Sequence, residues 1–114
     1  MLFRSLLDTT SSGKTLKGRA NDDEIVAGFG PDRIYGEEGD DILFGRGGSD
    51  TIYGGPGNDY LNGGTGRDTL LGGTGDDVIV CEPGVDLRCE GQEGEDTLAL
   101  SGKPLMFKIG RAHV

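Results

Sequence analysis

The chain has 114 residues, enough for one small domain; only 33 % of them are hydrophobic, 23 are glycine and none is tryptophan. A core made from so few apolar side chains is thin and costs much conformational entropy to order, so apolar burial alone does not explain a stable fold. The net charge of −9 disfavours nucleic acid and anionic membranes as partners and favours cations or basic partners.

Residues 1–17 are predicted to be a leader or an N-terminal cap. Arg4 and Asp8 interrupt the apolar residues, so the hydrophobic segment of a cleavable signal peptide is not expected. The apolar residues from Leu2 to Leu7 are consistent with a short helical cap over the first repeat. No apolar run in the chain approaches the length of a transmembrane helix, which predicts a soluble protein without a membrane span.

An aspartate recurs every nine residues between residues 18 and 89. The eight aspartates are Asp23, Asp32, Asp41, Asp50, Asp59, Asp68, Asp77 and Asp86. Glycine stands two residues before each aspartate, except that Asn21 stands there in the first unit. A large aliphatic residue follows two residues after each aspartate, except that Arg88 follows the last. Each unit therefore divides into a six-residue turn, which needs glycine for positive φ, and a three-residue strand with one inward side chain.

Nine residues cannot bury their inward side chain alone, so the units are expected to stack. Two units in each coil give a flattened solenoid with a parallel sheet on either side. The predicted fold is all-β: a parallel β-roll, or two-sheet β-solenoid, of about eight to nine nonapeptide repeats over residues 18–100.

Stacking of the units brings the aspartates into two rows, one along each edge of the solenoid. The rows are Asp23, Asp41, Asp59 and Asp77 on one edge and Asp32, Asp50, Asp68 and Asp86 on the other. Neighbouring carboxylates, about 4.8 Å apart along the stack, repel one another, and residues 18–100 hold 19 acidic residues against five arginines, a net −14. Calcium between the coils would relieve this repulsion, because it accepts carboxylate and carbonyl oxygens in a flexible shell, whereas magnesium demands a tight octahedron. Hydrogen bonds that merely end turns are the alternative role for an aspartate, but turn chemistry does not require eight in one register.

The repeated pattern G-G-x-G-x-D-x-U-x resembles the RTX, or haemolysin-type, calcium-binding repeat. The resemblance covers residues 18–89 in unbroken register, and a degenerate ninth unit follows at residues 91–99. It implies a parallel β-roll with calcium between adjacent turns, in a bacterial protein exported through a type I secretion apparatus to the extracellular space. The aspartates of the two rows would be the side-chain ligands, and their pairing gives up to six ions, three along each row. Main-chain carbonyl ligands would come from second- and fourth-position glycines of the units: Gly28, Gly30, Gly39, Gly48, Gly55, Gly57, Gly64, Gly66, Gly73 and Gly75.

Unit eight, residues 81–89, departs from the pattern. Pro83, Arg88 at the inward position and an extra residue at Glu90 predict that the regular roll ends here, which also makes Asp96 of the ninth unit a doubtful ligand. Cys81 and Cys89 lie too far apart for a disulfide in a regular roll, whereas a unit that curls back brings them together. In an exported protein the two cysteines could form a disulfide, but only if unit eight curls back, so the sequence leaves their pairing open.

Three further features bear on function. Tyr35 and Tyr53 occupy outward positions of alternate units, which predicts a stacked ladder on one sheet rather than a carbohydrate-binding platform. Thr65 and Thr74 lie on opposite edges and do not form the flat array of an ice-binding surface. No Ser/His/Asp set, HExxH motif or phosphate loop is present, so we expect no enzyme within these residues.

The sequence thus favours a calcium-binding repeat module that folds on calcium binding outside the cell. The alternative is a C-terminal calcium or secretion domain of a larger secreted enzyme, such as a protease, lipase or polysaccharide-modifying enzyme, or of an adhesin or ice-binding protein. Residues 101–114 are predicted to be a tail. Within it, residues 108–114 (KIGRAHV) read like a translated sequencing adapter and are expected to be artefactual.

Overall fold

The computed structural model describes residues 3–7, 13, 15–18, 20, 22–81, 88–100 and 106–109. Over these residues the chain forms β-strands and no helix, so none that is long and apolar enough to cross a membrane. The strands are β1 (Phe3–Leu7), β2 (Thr15–Lys17), β3 (Asp22–Val26), β4 (Arg33–Tyr35), β5 (Ile42–Phe44), β6 (Thr51–Tyr53), β7 (Tyr60–Asn62), β8 (Thr69–Leu71), β9 (Val78–Cys81), β10 (Arg88–Glu90), β11 (Asp96–Leu100) and β12 (Met106–Ile109).

Consecutive strands from β1 to β11 alternate between two sheets. The seven-stranded sheet has the order β1-β3-β5-β7-β9-β11-β12, and the five-stranded sheet has the order β10-β8-β6-β4-β2. All pairings are parallel except that of β11 with β12. Each unit of nine residues therefore carries the chain from one sheet to the other, and the predicted two-sheet β-solenoid is confirmed.

One inward side chain from each unit makes the core between the sheets. In the seven-stranded sheet Ile25 lies beside Leu43, and in the five-stranded sheet Ile34 lies beside Ile52. The fully buried aliphatic residues are Ile25, Ile34, Leu43, Ile52, Leu61, Leu70 and Ile79. Burial of each side chain contributes about 1.5–3 kcal/mol. The core is therefore small for a chain that contains 23 glycines.

Both sheets extend N-terminal to the first predicted unit. Residues Phe3–Leu7 form strand β1 in parallel register with β3, where a helical cap was expected. Strand β2 pairs with β4 and places Leu16 against the core. A strand here satisfies the backbone groups that the edges of β3 and β4 would otherwise leave unpaired, which a helix cannot do.

The inserted residue of unit eight lies before β10 and not at Glu90 as predicted. Arg88 pairs with Thr69 and Cys89 pairs with Leu70, nineteen residues away instead of eighteen. The inward residue is therefore the buried Cys89, and the assignment of Arg88 to the inward position is wrong, since Arg88 is exposed. This register keeps Arg88 outside, whereas a register eighteen residues apart would put its charged side chain in the core.

The roll continues beyond unit eight, against the prediction that it ends there. Strand β11 of unit nine pairs in parallel with β9 and brings Leu98 beside Ile79. The change of direction comes one strand later, where β12 closes this sheet in antiparallel orientation.

A disulfide joins the two sheets where unit eight loses its register. Cys81, at the end of β9, bonds to Cys89, in the middle of β10, with their Cα atoms 6.2 Å apart. Both cysteines are buried in the core cluster. The cross-link that the sequence left open is thus formed, and it occupies the position of an inward aliphatic residue.

Candidate metal centre

The repeated aspartates form two buried rows, each at the turn that precedes a strand. Eight aspartates are at most 2 % exposed: Asp23, Asp32, Asp41, Asp50, Asp59, Asp68, Asp77 and Asp96. The row beside the seven-stranded sheet gains Asp96 as its fifth member. Asp86, predicted for the other row, lies outside the described residues.

Each carboxylate is held by the backbone of the coil before it. The N–H of Asp41 donates to Oδ1 of Asp59 at 2.9 Å, and the N–H of Asp50 donates to Oδ1 of Asp68 at 2.8 Å. The same bond joins Asp23 to Asp41, Asp32 to Asp50, Asp59 to Asp77 and Asp77 to Asp96. The first carboxylate oxygen is thereby fixed in direction, and Oδ2 remains for another partner.

The glycine that opens every unit except the second and the eighth, which begin with Ala27 and Cys81, leaves room for this arrangement. A Cβ atom at Gly36 would lie 2.6 Å from Oδ2 of Asp41, and one at Gly54 would lie 2.5 Å from Oδ2 of Asp59. Both separations are shorter than real contacts allow, so a side chain here would displace the carboxylate. The spacing of five residues between this glycine and the aspartate therefore serves the turn and also leaves space for the carboxylate.

Five aspartates have a buried Oδ2 with no hydrogen-bond partner among the described residues: Asp41, Asp50, Asp59, Asp77 and Asp96. A buried carboxylate oxygen without a partner is costly, because the group has lost its water without gaining a donor or a counter-charge. Such an orphaned acceptor, repeated in register, is what a cation between the coils would satisfy.

Burial raises the pKa of these carboxyl groups. Loss of water raises the pKa of Asp41 and Asp77 to about 7, and that of Asp59 to about 8, with neighbouring carboxylates in the row adding to the rise. The pKa of Asp50 rises to about 7 for the same reasons. The backbone hydrogen bond opposes the shift but does not cancel it. Near neutral pH each group therefore needs either a proton or a cation.

The predicted carbonyl donors lie in turns whose backbone is held in the left-handed region. Nine of the ten predicted glycines have positive φ, from 80° at Gly64 to 117° at Gly57, and Gly28 does not. At the second position, Glu37 and Arg46 replace glycine and still adopt φ of 67° and 69°. The turn conformation thus survives these substitutions, whereas unit two differs at Gly28.

Fourth-position carbonyls point along the stack towards the next coil. A Cβ atom at Gly57 or Gly75 would fall within 3.0 Å of the carbonyl oxygen of Gly39 or Gly57, respectively. The same contact recurs between Gly48 and Gly66. The oxygens of these glycines therefore face the next coil. The carbonyl oxygens that accompany the buried Oδ2 atoms belong to first-position glycines, since a Cβ atom at Gly36 would lie 2.6 Å from Oδ2 of Asp41 and 2.8 Å from the oxygen of Gly54.

A second, exposed ladder runs along one edge and was missed from the sequence. The N–H of Asp40 donates to Oδ1 of Asp22, and that of Asn58 donates to Oδ1 of Asp40, both at 2.8 Å. Asp76 and Glu95 continue the series. These hydrogen bonds run in the opposite direction from those of the buried row, because each N–H donates to the preceding coil and not to the following one. The available signal was the fifth position of alternate units, which is always aspartate, asparagine or glutamate.

The donor set fits a hard cation. Within the described part of the chain, no three Asp, Glu, His or Cys side chains converge on one point. A site between two coils therefore draws on at most two carboxylates and on main-chain carbonyls, the oxygen donors that calcium accepts. Zinc prefers thiolate and imidazole ligands, and the one histidine, His113, lies outside the described residues.

Comparison with known protein families agrees with this geometry. The family of RTX calcium-binding nonapeptide repeats matches in four copies, over residues 17–52, 44–79 and 53–86. No curated protein and no solved structure matches the chain. The fold and site define a calcium-binding repeat solenoid. The chain belongs to the RTX calcium-binding nonapeptide repeat family, which is typical of exported bacterial proteins.

Proposed function

We propose that this chain is the calcium-binding module of an exported bacterial protein and that it folds as calcium binds outside the cell. The observation that carries the proposal is the buried, unpartnered Oδ2 of Asp41, Asp50, Asp59, Asp77 and Asp96. A proton or a cation must satisfy these oxygens, and the family match favours calcium. The module is proposed to bind and to stabilise rather than to catalyse.

The calcium ions are proposed to lie between successive aspartates of a row. The described aspartates leave four such intervals beside the seven-stranded sheet, from Asp23 to Asp96, and two beside the five-stranded sheet, from Asp32 to Asp68. We therefore keep the number of up to six ions but distribute them unequally. The predicted interval between Asp68 and Asp86 falls outside the described residues.

Carbonyl ligands are proposed from the second and fourth positions of the turns. Carbonyl oxygens at both positions face the next coil: a Cβ atom at Gly55 would meet the oxygen of Glu37, just as one at Gly57 would meet that of Gly39. Gly28 is the weakest candidate, because it lacks the positive φ of the other predicted donors. The intervals that use unit two are accordingly expected to bind calcium least tightly.

Calcium binding and folding are proposed to be one process. Residues 18–100 carry a net charge of −14, and six divalent ions would add +12. Without them, carboxylate repulsion and glycine entropy oppose a core of one aliphatic residue per unit. The binding free energy of calcium therefore becomes folding free energy.

Export through a type I secretion apparatus is the proposed route, with the extracellular medium as the source of calcium. The disulfide between Cys81 and Cys89 supports this location, because such bonds persist in oxidising compartments. A larger secreted enzyme or an adhesin remains the alternative setting for the module. The natural reading frame around the repeats tests it, since an adjoining catalytic domain would favour the enzyme.

The direct test of the proposed function is a calcium titration of the oxidised chain. Native mass spectrometry should find several bound calcium ions, up to six, while circular dichroism records a cooperative gain of β-signal. Magnesium at the same concentration should replace calcium poorly. No more than one specifically bound ion, or a chain equally folded in chelator at pH 8, would contradict the proposal.

A further inference from the structure

Charged residues outside the two aspartate rows are segregated by sheet. The described cations of residues 15–100 all belong to units of the five-stranded sheet: Lys17, Arg33, Arg46, Arg67 and Arg88. The described acidic residues outside the rows belong, with one exception, to units of the seven-stranded sheet: Asp22, Glu24, Glu37, Glu38, Asp40, Asp76, Glu93 and Glu95. The exception is Glu90. The solenoid therefore has a basic side, formed by the five-stranded sheet and the turns that lead into it, and an acidic side, formed by the seven-stranded sheet and the turns that lead into it.

Three arginines of the basic side, Arg33, Arg46 and Arg67, form no ion pair with an acidic residue in the described part of the chain. Arg33 and Arg67 are exposed and form no ion pair with any described residue. Arg46 lies 5.1 Å from the ring centroid of Phe29, a contact that leaves its charge in place. Arg88 is paired with an acid, Glu90.

Hydroxyl groups share the outer face of the five-stranded sheet with Lys17, Arg33 and Arg88, whereas Arg46 and Arg67 lie in the turns that lead into it. Tyr35 and Tyr53 stack with centroids 5.0 Å apart and planes at 7°, which confirms the predicted ladder. Lys17 lies 5.9 Å from the centroid of the Tyr35 ring. Thr51 and Thr69 are paired neighbours in the other outward row. The face thus combines hydroxyl groups with positive charge over five strands, a length of about 19 Å.

We propose that this basic side binds an anionic polysaccharide once calcium has neutralised the aspartate rows. The proposal rests on the proposed calcium-dependent folding, because the calcium-free chain is too acidic to attract a polyanion. Positive charges spaced along the stack match a polymer with repeated anionic groups, and the threonine and tyrosine hydroxyls match its sugar hydroxyls.

A single-stranded nucleic acid fits this face less well. Such ligands gain affinity by stacking bases on aromatic ring faces. The rings of Tyr35 and Tyr53 already stack on each other, and Lys17 lies over the ring of Tyr35. The remaining attraction for a nucleic acid would be charge alone, whereas a polysaccharide also uses the hydroxyl groups.

The test compares two variants of the calcium-loaded chain that have the same net charge. R33Q/R67Q removes two cations from the basic side. P56E/T74E adds two acids at exposed third positions on the acidic side, where Glu38 and Glu93 already stand in neighbouring units. The probe is immobilised dextran sulfate, with uncharged dextran as the control polymer and single-stranded DNA as the competing polyanion. Circular dichroism of each variant records folding separately.

R33Q/R67Q should bind dextran sulfate about tenfold more weakly than the unaltered chain, the effect of losing two exposed ion pairs. P56E/T74E should bind within about twofold of the unaltered chain, since its added charges lie in turns of the acidic side, at the other edge of the solenoid from Arg67. Equal losses in both variants, equal binding of uncharged dextran, or tighter binding of DNA would overturn the proposal. Calcium-dependent folding without dextran sulfate binding would overturn this inference alone, whereas a chain that does not respond to calcium would overturn the proposed function as well.

Discussion

The backbone N–H of Asp41 donates to Oδ1 of Asp59 in the next coil at 2.9 Å, while Oδ2 of Asp59 is buried without a hydrogen-bond partner among the described residues. One side chain thus both ties two coils together and presents an unsatisfied oxygen to the space between them. Asp59 also donates its own N–H to Asp77, so it takes part in two intervals.

Replacement of this interior aspartate should disturb folding more than replacement of a terminal one. Asp59→Ala removes a proposed ligand from two intervals and a charge-assisted hydrogen bond contributing about 1.5–3 kcal/mol. Asp23→Ala removes a proposed ligand from one interval only. In calcium titrations followed by circular dichroism, the folding midpoint of Asp59→Ala should move to the higher calcium concentration. Equal shifts for the two variants would contradict the shared-site arrangement.

The calcium-free chain should gain structure on acidification. Burial raises the pKa of Asp41, Asp50 and Asp77 to about 7 and that of Asp59 to about 8, from the ordinary value of 3.8. Because these pKa values are higher in the folded chain than in the unfolded chain, protonation stabilises the fold fully below pH 3.8. This stabilisation is lost as the pH rises through 7 to 8. Circular dichroism in chelator should therefore show more β-signal at pH 5 than at pH 8.

Protons and calcium should compete, because calcium needs the ionised carboxylate. The calcium midpoint of folding should rise as pH falls below 7, and binding at pH 7 should release protons, measurable by calorimetry in buffers of different ionisation enthalpy. Asp59→Asn, which keeps an oxygen for the Asp41 N–H but removes one titrating group, is the matched control and should release fewer protons. A calcium midpoint independent of pH would argue against carboxylates as the ligands.

The second and fourth glycine positions of a turn should differ in how well they tolerate substitution by a residue with a side chain. Gly57 has φ of 117° and faces the Gly39 carbonyl, whereas the second position accepts Glu37 at φ of 67°. Gly57→Asn should lower the unfolding free energy of the calcium-loaded chain by at least about 1–2 kcal/mol, and Gly55→Asn should lower it less. Denaturant unfolding in saturating calcium measures both. A larger loss for Gly55→Asn would contradict this ranking.

Loss of the disulfide should weaken the end of the roll. By loop closure, the bond between Cys81 and Cys89, eight residues apart, contributes about 2–3 kcal/mol. Cys81→Ala/Cys89→Leu removes it with residues that other units already carry at these positions, Ala27 and Leu70. This variant should unfold at a lower denaturant concentration than the oxidised chain. It should unfold at a higher concentration than the reduced chain, because leucine fills the inward position. Intact mass with and without reduction checks the pairing itself.

The fold could be predicted from the sequence wherever the repeat is strict. The nine-residue spacing placed Ile25, Leu43 and Leu61 in one sheet because a three-residue strand has a single inward side chain. It failed in unit eight, where an inserted residue can be absorbed either in the turn or in the strand. The sequence pattern does not distinguish these possibilities, whereas the cost of a buried Arg88 does.

The site was predicted in part. The aspartate rows followed from spacing, but the regularity that placed Asp96 in a row became visible only when unit nine was seen to resume pairing with β9. The outer ladder through Asp22 and Asp40 was missed because position five is unrelated in the intervening units, where Pro31, Ser49 and Arg67 stand. The segregation of charge was missed because it requires sorting residues by sheet rather than along the chain.

The opposed ladders also have a mechanical consequence. At the edge that holds Asp22, Asp40 and Asn58, adjacent coils are clasped from both directions, by the buried carboxylates and by the exposed series. At the edge that holds Asp32 and Asp50, the described residues supply only the buried series. A solenoid clasped twice on one edge and once on the other is stiffer on the first. When the solenoid is stretched, its coils should therefore separate first along the second edge and rotate about the first.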